Sequence, residues 1–79
     1  MTVRTGPPWG AERWIAFGRQ SRNWTPTKAE ARVLARLDEA RSHGRRLRLN
    51  LHPRTLAAIR SVWRARWGDV PLPTQRAEV

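Results

Sequence analysis

The chain has 79 residues, enough for one small domain, and 16 basic residues against six acidic ones give it a formal net charge of +10. It has no cysteine, which excludes disulfides and thiolate metal sites, and its two histidines have no acidic residues at ligand-like spacing. No stretch approaches membrane-spanning length and no signal peptide is recognisable, so we expect a cytoplasmic protein with no membrane partner, metal or cofactor.

Arginine accounts for fifteen of the sixteen basic residues. A GC-rich genome favours arginine codons, which explains the residue type but not the excess of cations over acids. The guanidinium group is always charged and donates paired hydrogen bonds to phosphates and to guanine edges. The composition therefore predicts a polyanionic partner, and nucleic acid is the commonest one.

The domain is expected to lie between two irregular ends. A glycine and two prolines prevent regular structure in residues 1–8, which are predicted to form a flexible arm. A single domain is expected over 9–73, and residues 74–79 are expected to be a disordered tail. The first element of the domain is predicted to be a short helix over 9–19.

The clearest helix is predicted over 26–43. Thr25 can serve as its N-cap with a proline at the first helical position, and Thr27 and Glu30 are spaced as a capping box. Gly44 suits the C-terminal end of the helix. Apolar residues recur at the helical period at Ala29, Val33, Leu34, Leu37 and Ala40.

Leucines alternate strictly with polar residues in 46–51. This pattern predicts a short strand with one apolar and one polar face. The apolar face would carry Leu47, Leu49 and Leu51, and the polar face Arg46, Arg48 and Asn50. Because leucine and arginine are also good helix formers, an irregular turn of a helical domain is the alternative.

The last helix is predicted over 53–67. Pro53 opens it, His52 stands at the N-cap position, and Gly68 ends it. The expected fold class is therefore mainly α, a small helical domain with one short strand or extended segment between two main helices.

The segment Leu47 to Arg60, which reads LRLNLHPRTLAAIR, resembles the opening of a ribbon-helix-helix repressor. In that family an alternating strand pairs with its twin across a dimer, and the resulting ribbon enters the major groove. Extended over 46–67, the resemblance implies a homodimer that binds double-stranded DNA. The residues that read bases would then be Arg46, Arg48 and Asn50.

Residues 24–67 also resemble a LuxR-type helix-turn-helix domain. Such domains often begin with a Leu-Thr-Pro helix and enter the recognition helix through a Ser-Pro-Arg-Thr-Val sequence. The corresponding residues here are Trp24-Thr25-Pro26 and His52-Pro53-Arg54-Thr55-Leu56. The resemblance implies that 53–67 is the recognition helix, with DNA contacts from Arg54, Thr55, Ala58, Arg60 and Ser61.

Both resemblances place the nucleic-acid surface between residues 46 and 64. The densest basic cluster lies just there and has no acid near it, although a solvated edge is the alternative interpretation. Arg60 and Arg64 are one helical turn apart and repel each other unless an anion lies between them. The predicted nucleic-acid-binding residues are Arg45, Arg46, Arg48, Asn50, Arg54, Thr55, Arg60, Ser61 and Arg64.

The predicted function is sequence-specific regulation of transcription, for example as a repressor encoded by a phage or mobile element. The alternative is an adaptor or inhibitor that docks on RNA polymerase or a ribonucleoprotein, with Trp9 and Trp14 contacting protein and the arginines contacting RNA. Core packing is the other interpretation of these two tryptophans. Catalysis is not expected, because Asp38 and Glu39 point to different sides of a helix and no nucleophile or phosphate-loop motif is present.

Overall fold

A computed structural model describes residues 7–21 and 25–74 of the chain. They form three helices, α1 (Ala11–Ser21), α2 (Lys28–Ser42) and α3 (Pro53–Trp67), which confirms the mainly helical fold class. None of these helices is long and apolar enough to cross a membrane. Most of the predicted arm and tail lies outside the described residues.

Helix α2 begins at Lys28 and not at the proline that the sequence suggested. Thr27 is its N-cap, because its hydroxyl oxygen accepts from the Glu30 N–H at 3.2 Å while the Glu30 carboxylate accepts from the Thr27 N–H at 2.8 Å. This capping box satisfies two backbone donors at once, which an N-cap at Thr25 would not do. At the other end Gly44 has a φ of 67°, a conformation that favours glycine and ends the helix.

Helix α3 has the bounds that its sequence predicted. The Nδ1 atom of His52 accepts a hydrogen bond from the Arg54 N–H at 3.1 Å, so His52 is the N-cap. Pro53 occupies the first helical position, where no N–H is needed. Gly68 follows the last turn with a φ of 65° and donates its N–H to the Arg64 carbonyl.

Residues 45–52, the extended segment, contain no regular strand. Their one bridge is parallel and joins Leu47 to Thr74, with the Leu47 N–H donating to the Pro73 carbonyl at 2.8 Å. A strand needs a neighbour along its whole length, and the described chain supplies one only at this point. The predicted alternation of faces nevertheless holds, since the three leucines are half-buried against the core and Arg46, Arg48 and Asn50 are exposed.

The hydrophobic core lies where the three helices meet. Trp14 of α1 stacks on Trp63 of α3, with ring centroids 6.0 Å apart. The indole N–H of Trp63 donates to the Val70 carbonyl at 2.9 Å and so holds the chain after α3 against the helix. The buried core residues are Trp14, Ala31, Leu34, Leu37, Ile59, Val62, Trp63 and Trp67.

A carboxylate is buried within this core. Asp38 of α2 is 0% exposed and accepts three hydrogen bonds. One comes from the Trp9 N–H at 3.0 Å, one from the Arg41 Nε at 3.0 Å, and one from the Arg66 Nη1. Asp38 therefore joins the chain before α1 to α2 and to α3. Its neighbour Glu39 is exposed.

Replacing Asp38 with asparagine is expected to lower the free energy of unfolding by about 3–5 kcal/mol, because a buried charge is left without its counter-ion. The Arg66 side chain is only 11% exposed and cannot turn to water for compensation. Denaturant unfolding followed by tryptophan fluorescence measures the loss. The matched control is Glu39→Gln, which should change stability by no more than about 0.5 kcal/mol. Equal stabilities of the two variants would contradict a central role for Asp38.

Candidate nucleic-acid interface

The predicted interface arginines all lie on the surface. Three belong to the extended segment and three to α3, and each is exposed: Arg45, Arg46, Arg48, Arg54, Arg60 and Arg64. Within the described part of the chain none of them forms an ion pair. Unpaired cations at this density raise the positive potential of the surface and attract anions. Asn50 and Ser61 are also exposed, whereas Thr55 is half-buried.

One groove, which we call the arginine groove, gathers arginines from three parts of the fold. Its walls are the end of α2, the start of the extended segment, the middle of α3 and the returning chain 70–74. The four arginines that line it are Arg41, Arg45, Arg46 and Arg60. No acidic residue is among its described lining residues, so the described part of the groove offers an anion several guanidinium groups at once.

Two further grooves adjoin the arginine groove. The first runs along the exposed face of α3, is lined by Arg60, Ser61, Arg64 and the acidic Asp69 among others, and shares Arg60 with the arginine groove. The second is lined by Arg36, Glu39 and other residues near the end of α2, and shares Arg45 with the arginine groove. The exposed arginines therefore extend from α2 across the extended segment to α3, with Glu39 and Asp69 among the residues that line the two outer grooves.

Sequence reasoning missed two members of this surface, Arg36 and Arg41. Arg36 lies away from the apolar stripe of α2, so its exposure could be read from the period, but nothing local shows that it approaches Arg45. Arg41 lies in the last turn of α2, where a cation is expected near the negative end of the helix, so its position in the sequence does not point to a groove. The positions of Arg36 and Arg41 beside the extended segment depend on the path that the chain takes after α2.

Four predicted site residues line none of these three grooves. Arg48 and Asn50 lie on the outward side of the extended segment, and Arg54 and Thr55 lie in the first turn of α3. They flank the basic surface along the chain and do not converge with the arginines of the grooves. Their placement suits contacts with an extended ligand more than with a small one.

The two tryptophans predicted to bind a partner pack against other parts of the chain. Trp14 is 0% exposed, so its side chain offers a partner no surface. Trp9 is half-buried, with its ring centroid 5.1 Å from that of Trp14 and 3.5 Å from the Arg66 guanidinium carbon. Core packing is the interpretation that fits both side chains.

Arg66, although part of the same basic stretch, belongs to the interior. Its guanidinium lies against Trp9 and against Trp67, whose ring centroid is 4.1 Å away. Burial lowers the pKa of the Arg66 guanidinium, and the charge and hydrogen bond of Asp38 oppose that effect. The group stays charged at neutral pH, as arginine does throughout proteins. Arg66 therefore contributes to stability and not to the surface.

No protein-family model, curated protein or solved structure matches the chain. In the described ranges no group of three histidine, aspartate or glutamate side chains is placed to hold a metal ion. The chemistry that the described surface offers is the binding of anions by guanidinium groups.

Repulsion among the interface arginines should make the free protein more stable in salt. Raising NaCl from about 20 mM to about 500 mM is expected to raise the midpoint of thermal unfolding, because screening acts on exposed charges more than on the buried Asp38 cluster. Circular dichroism at about 222 nm, a wavelength at which helices absorb strongly, measures this midpoint.

Arg60→Ala should reproduce part of this stabilisation at low salt. It removes repulsion from Arg64 one turn away, which is worth about 0.2–0.5 kcal/mol, while its side chain makes no ion pair within the described residues. Arg19→Ala, at an exposed position of α1, is the matched control and should have a smaller effect. A midpoint that decreases with salt would show that repulsion does not govern this surface.

Proposed function

We propose that the chain is a small DNA-binding protein that contacts double-stranded DNA through the extended segment and α3, and that it regulates transcription. The observation that carries the proposal is a set of six exposed arginines, none of which forms an ion pair within the described residues: Arg45, Arg46, Arg48, Arg54, Arg60 and Arg64. Three of them line the arginine groove, which has no acid among its described lining residues. Exposed cations at this density attract the phosphates of a nucleic-acid backbone.

The two parts of the surface suit different contacts with DNA. On the extended segment, Arg46, Arg48 and Asn50 project away from the core, and arginine and asparagine are the residue types that pair with guanine and adenine edges. On α3, Arg54, Arg60 and Arg64 are exposed along the helix and suit phosphates. Base contacts from the first group would provide sequence preference, and phosphate contacts from the second would fix the orientation.

The order of elements favours the ribbon-helix-helix resemblance over the LuxR-type one. An extended segment with outward polar residues leads through a proline into α3, as in the opening of a ribbon-helix-helix repressor. A LuxR-type domain has a further helix where residues 45–52 form no helix here. A repressor of this kind acts as a homodimer, so a homodimer is part of the proposal. Residues 68–74 contain no second helix after α3, which is a departure from the family pattern.

Binding to duplex DNA and to structured RNA across a salt series tests the proposal. A regulator keeps a preference for particular duplexes at salt concentrations that suppress non-specific binding. Fluorescence anisotropy with a pool of randomised duplexes, followed by selection and sequencing of the bound fraction, measures that preference. Equal loss of affinity for every duplex contradicts sequence-specific regulation, and tighter binding to RNA contradicts DNA as the partner.

Arg48→Ala should weaken binding to the selected duplex by about 1–3 kcal/mol, because it removes a base contact. Binding to unrelated duplexes should change less. Arg19→Ala on α1 removes the same charge away from the proposed surface and should leave the preference unchanged. Light scattering gives the mass of the free protein and of the complex in the same samples. Two chains on each selected duplex are expected, and one chain contradicts the homodimer.

A further inference from the structure

Helix α2 carries a row of three cations on its exposed side. Lys28, Arg32 and Arg36, which we call the α2 row, follow one another at intervals of four residues, and all three are exposed. Residues at this interval are neighbours one helical turn apart, so the three positive charges repel one another along the helix. Of the three, Arg36 also lines one of the grooves described above.

No acid in the described part of the chain neutralises the α2 row. The ion pairs there both use Asp38, and neither includes a member of the row. The carboxylate of Glu30 is engaged in the capping box, where it accepts from the Thr27 N–H. Lys28 is moreover the first residue of α2, where the helix dipole disfavours a cation. The charges of the row therefore do not stabilise the free helix, and an anion outside the chain is needed to balance them.

The dimensions of the α2 row suit the backbone of a duplex. An α-helix rises about 1.5 Å per residue, so the row is about 12 Å long. One strand of B-DNA has a phosphate about every 3.4 Å of duplex axis, and therefore about three or four phosphates over that length. The row can thus neutralise successive phosphates of one strand.

The α2 row ends beside the proposed DNA-binding surface. Arg36 lines one groove together with Arg45 of the extended segment. Glu39 also lines this groove, but it forms no ion pair with either arginine within the described residues. A phosphate backbone that contacts Arg45 is therefore close to the end of the row and can continue along α2.

We infer that the α2 row is a further contact with the phosphate backbone of the bound duplex. The inference rests on the proposed function, since the backbone belongs to the DNA that the extended segment and α3 contact. Phosphates are the same at every base pair, so the row adds affinity and carries no sequence information. The DNA then covers part of α2 as well as the two elements named in the proposed function.

The test compares Arg32→Gln, in the middle of the row, with Arg19→Gln on α1. Both arginines are exposed on helices and form no ion pair within the described residues, and glutamine is a good helix former. Fluorescence anisotropy gives the affinity for the selected duplex across a salt series. In Arg32→Gln the plot of log affinity against log salt should be shallower by about 0.9, the value for one lost phosphate contact. Arg19→Gln should leave the slope unchanged, and equal slopes of the two variants overturn the inference.

Arg32→Glu separates a role in binding from a role in stability. A glutamate at this position lies one turn from both Lys28 and Arg36 and replaces two repulsions with two attractions, so the midpoint of thermal unfolding should rise. The affinity for the duplex should nevertheless fall further than in Arg19→Glu, which has the same net charge. A purely structural role would move the midpoint and the affinity in the same direction. Equal affinities of these two variants also overturn the inference.

Double-stranded RNA of equal length separates a failure of this inference from a failure of the proposed function. If the unchanged protein prefers the selected DNA and Arg32→Gln keeps its slope, the α2 row is not a contact and the proposed function stands. If the protein binds no duplex DNA but binds the RNA with a shallower slope in Arg32→Gln, the proposed function fails and the row contacts an RNA backbone. If it binds neither duplex, both are wrong.

Discussion

The fold depends on one buried carboxylate. Asp38 lies in the apolar stripe of α2, where an unpaired charge would cost several kilocalories per mole, and its oxygens accept from Trp9, Arg41 and Arg66. Apolar contacts between helices are non-directional, so many arrangements of three short helices bury similar areas. Three hydrogen bonds to one carboxylate are directional. They favour the arrangement in which the start of α1, the end of α2 and the end of α3 meet at the same point.

Aromatic rings stabilise the Arg66 guanidinium, which is the buried counter-ion of Asp38. Trp9 and Trp67 lie 3.5 and 4.1 Å from the Arg66 guanidinium carbon, and ring faces stabilise a cation that has lost water. Trp67 belongs to the buried core and Trp9 packs against it, in a 79-residue chain that has no disulfide to support it. The arrangement has a cost, since the indole N–H groups of Trp14 and Trp67 find no acceptor within the described residues.

Local signals predicted the helices, and distant pairings could not be predicted. The capping box at Thr27 and the N-cap at His52 involve residues two or three positions apart, so the sequence contains them complete. The pair of Asp38 and Arg66 spans 28 positions and leaves no periodic trace. A charged residue one position after Leu37 in an apolar stripe was the available signal. The exposure of the interface arginines followed from their place off the stripes. The arginine groove did not, because it requires the chain 70–74 to return.

The buried cluster and the basic surface meet at one residue. Arg41 donates to the buried Asp38 carboxylate and also lines the arginine groove, so the core fixes part of the groove wall. The exposed arginines at that groove repel one another in the free protein. Under the proposed function an anion in the groove would offset that repulsion, and any ligand that binds only the folded state stabilises it. The same arginine excess would then destabilise the free domain and favour its binding to a polyanion.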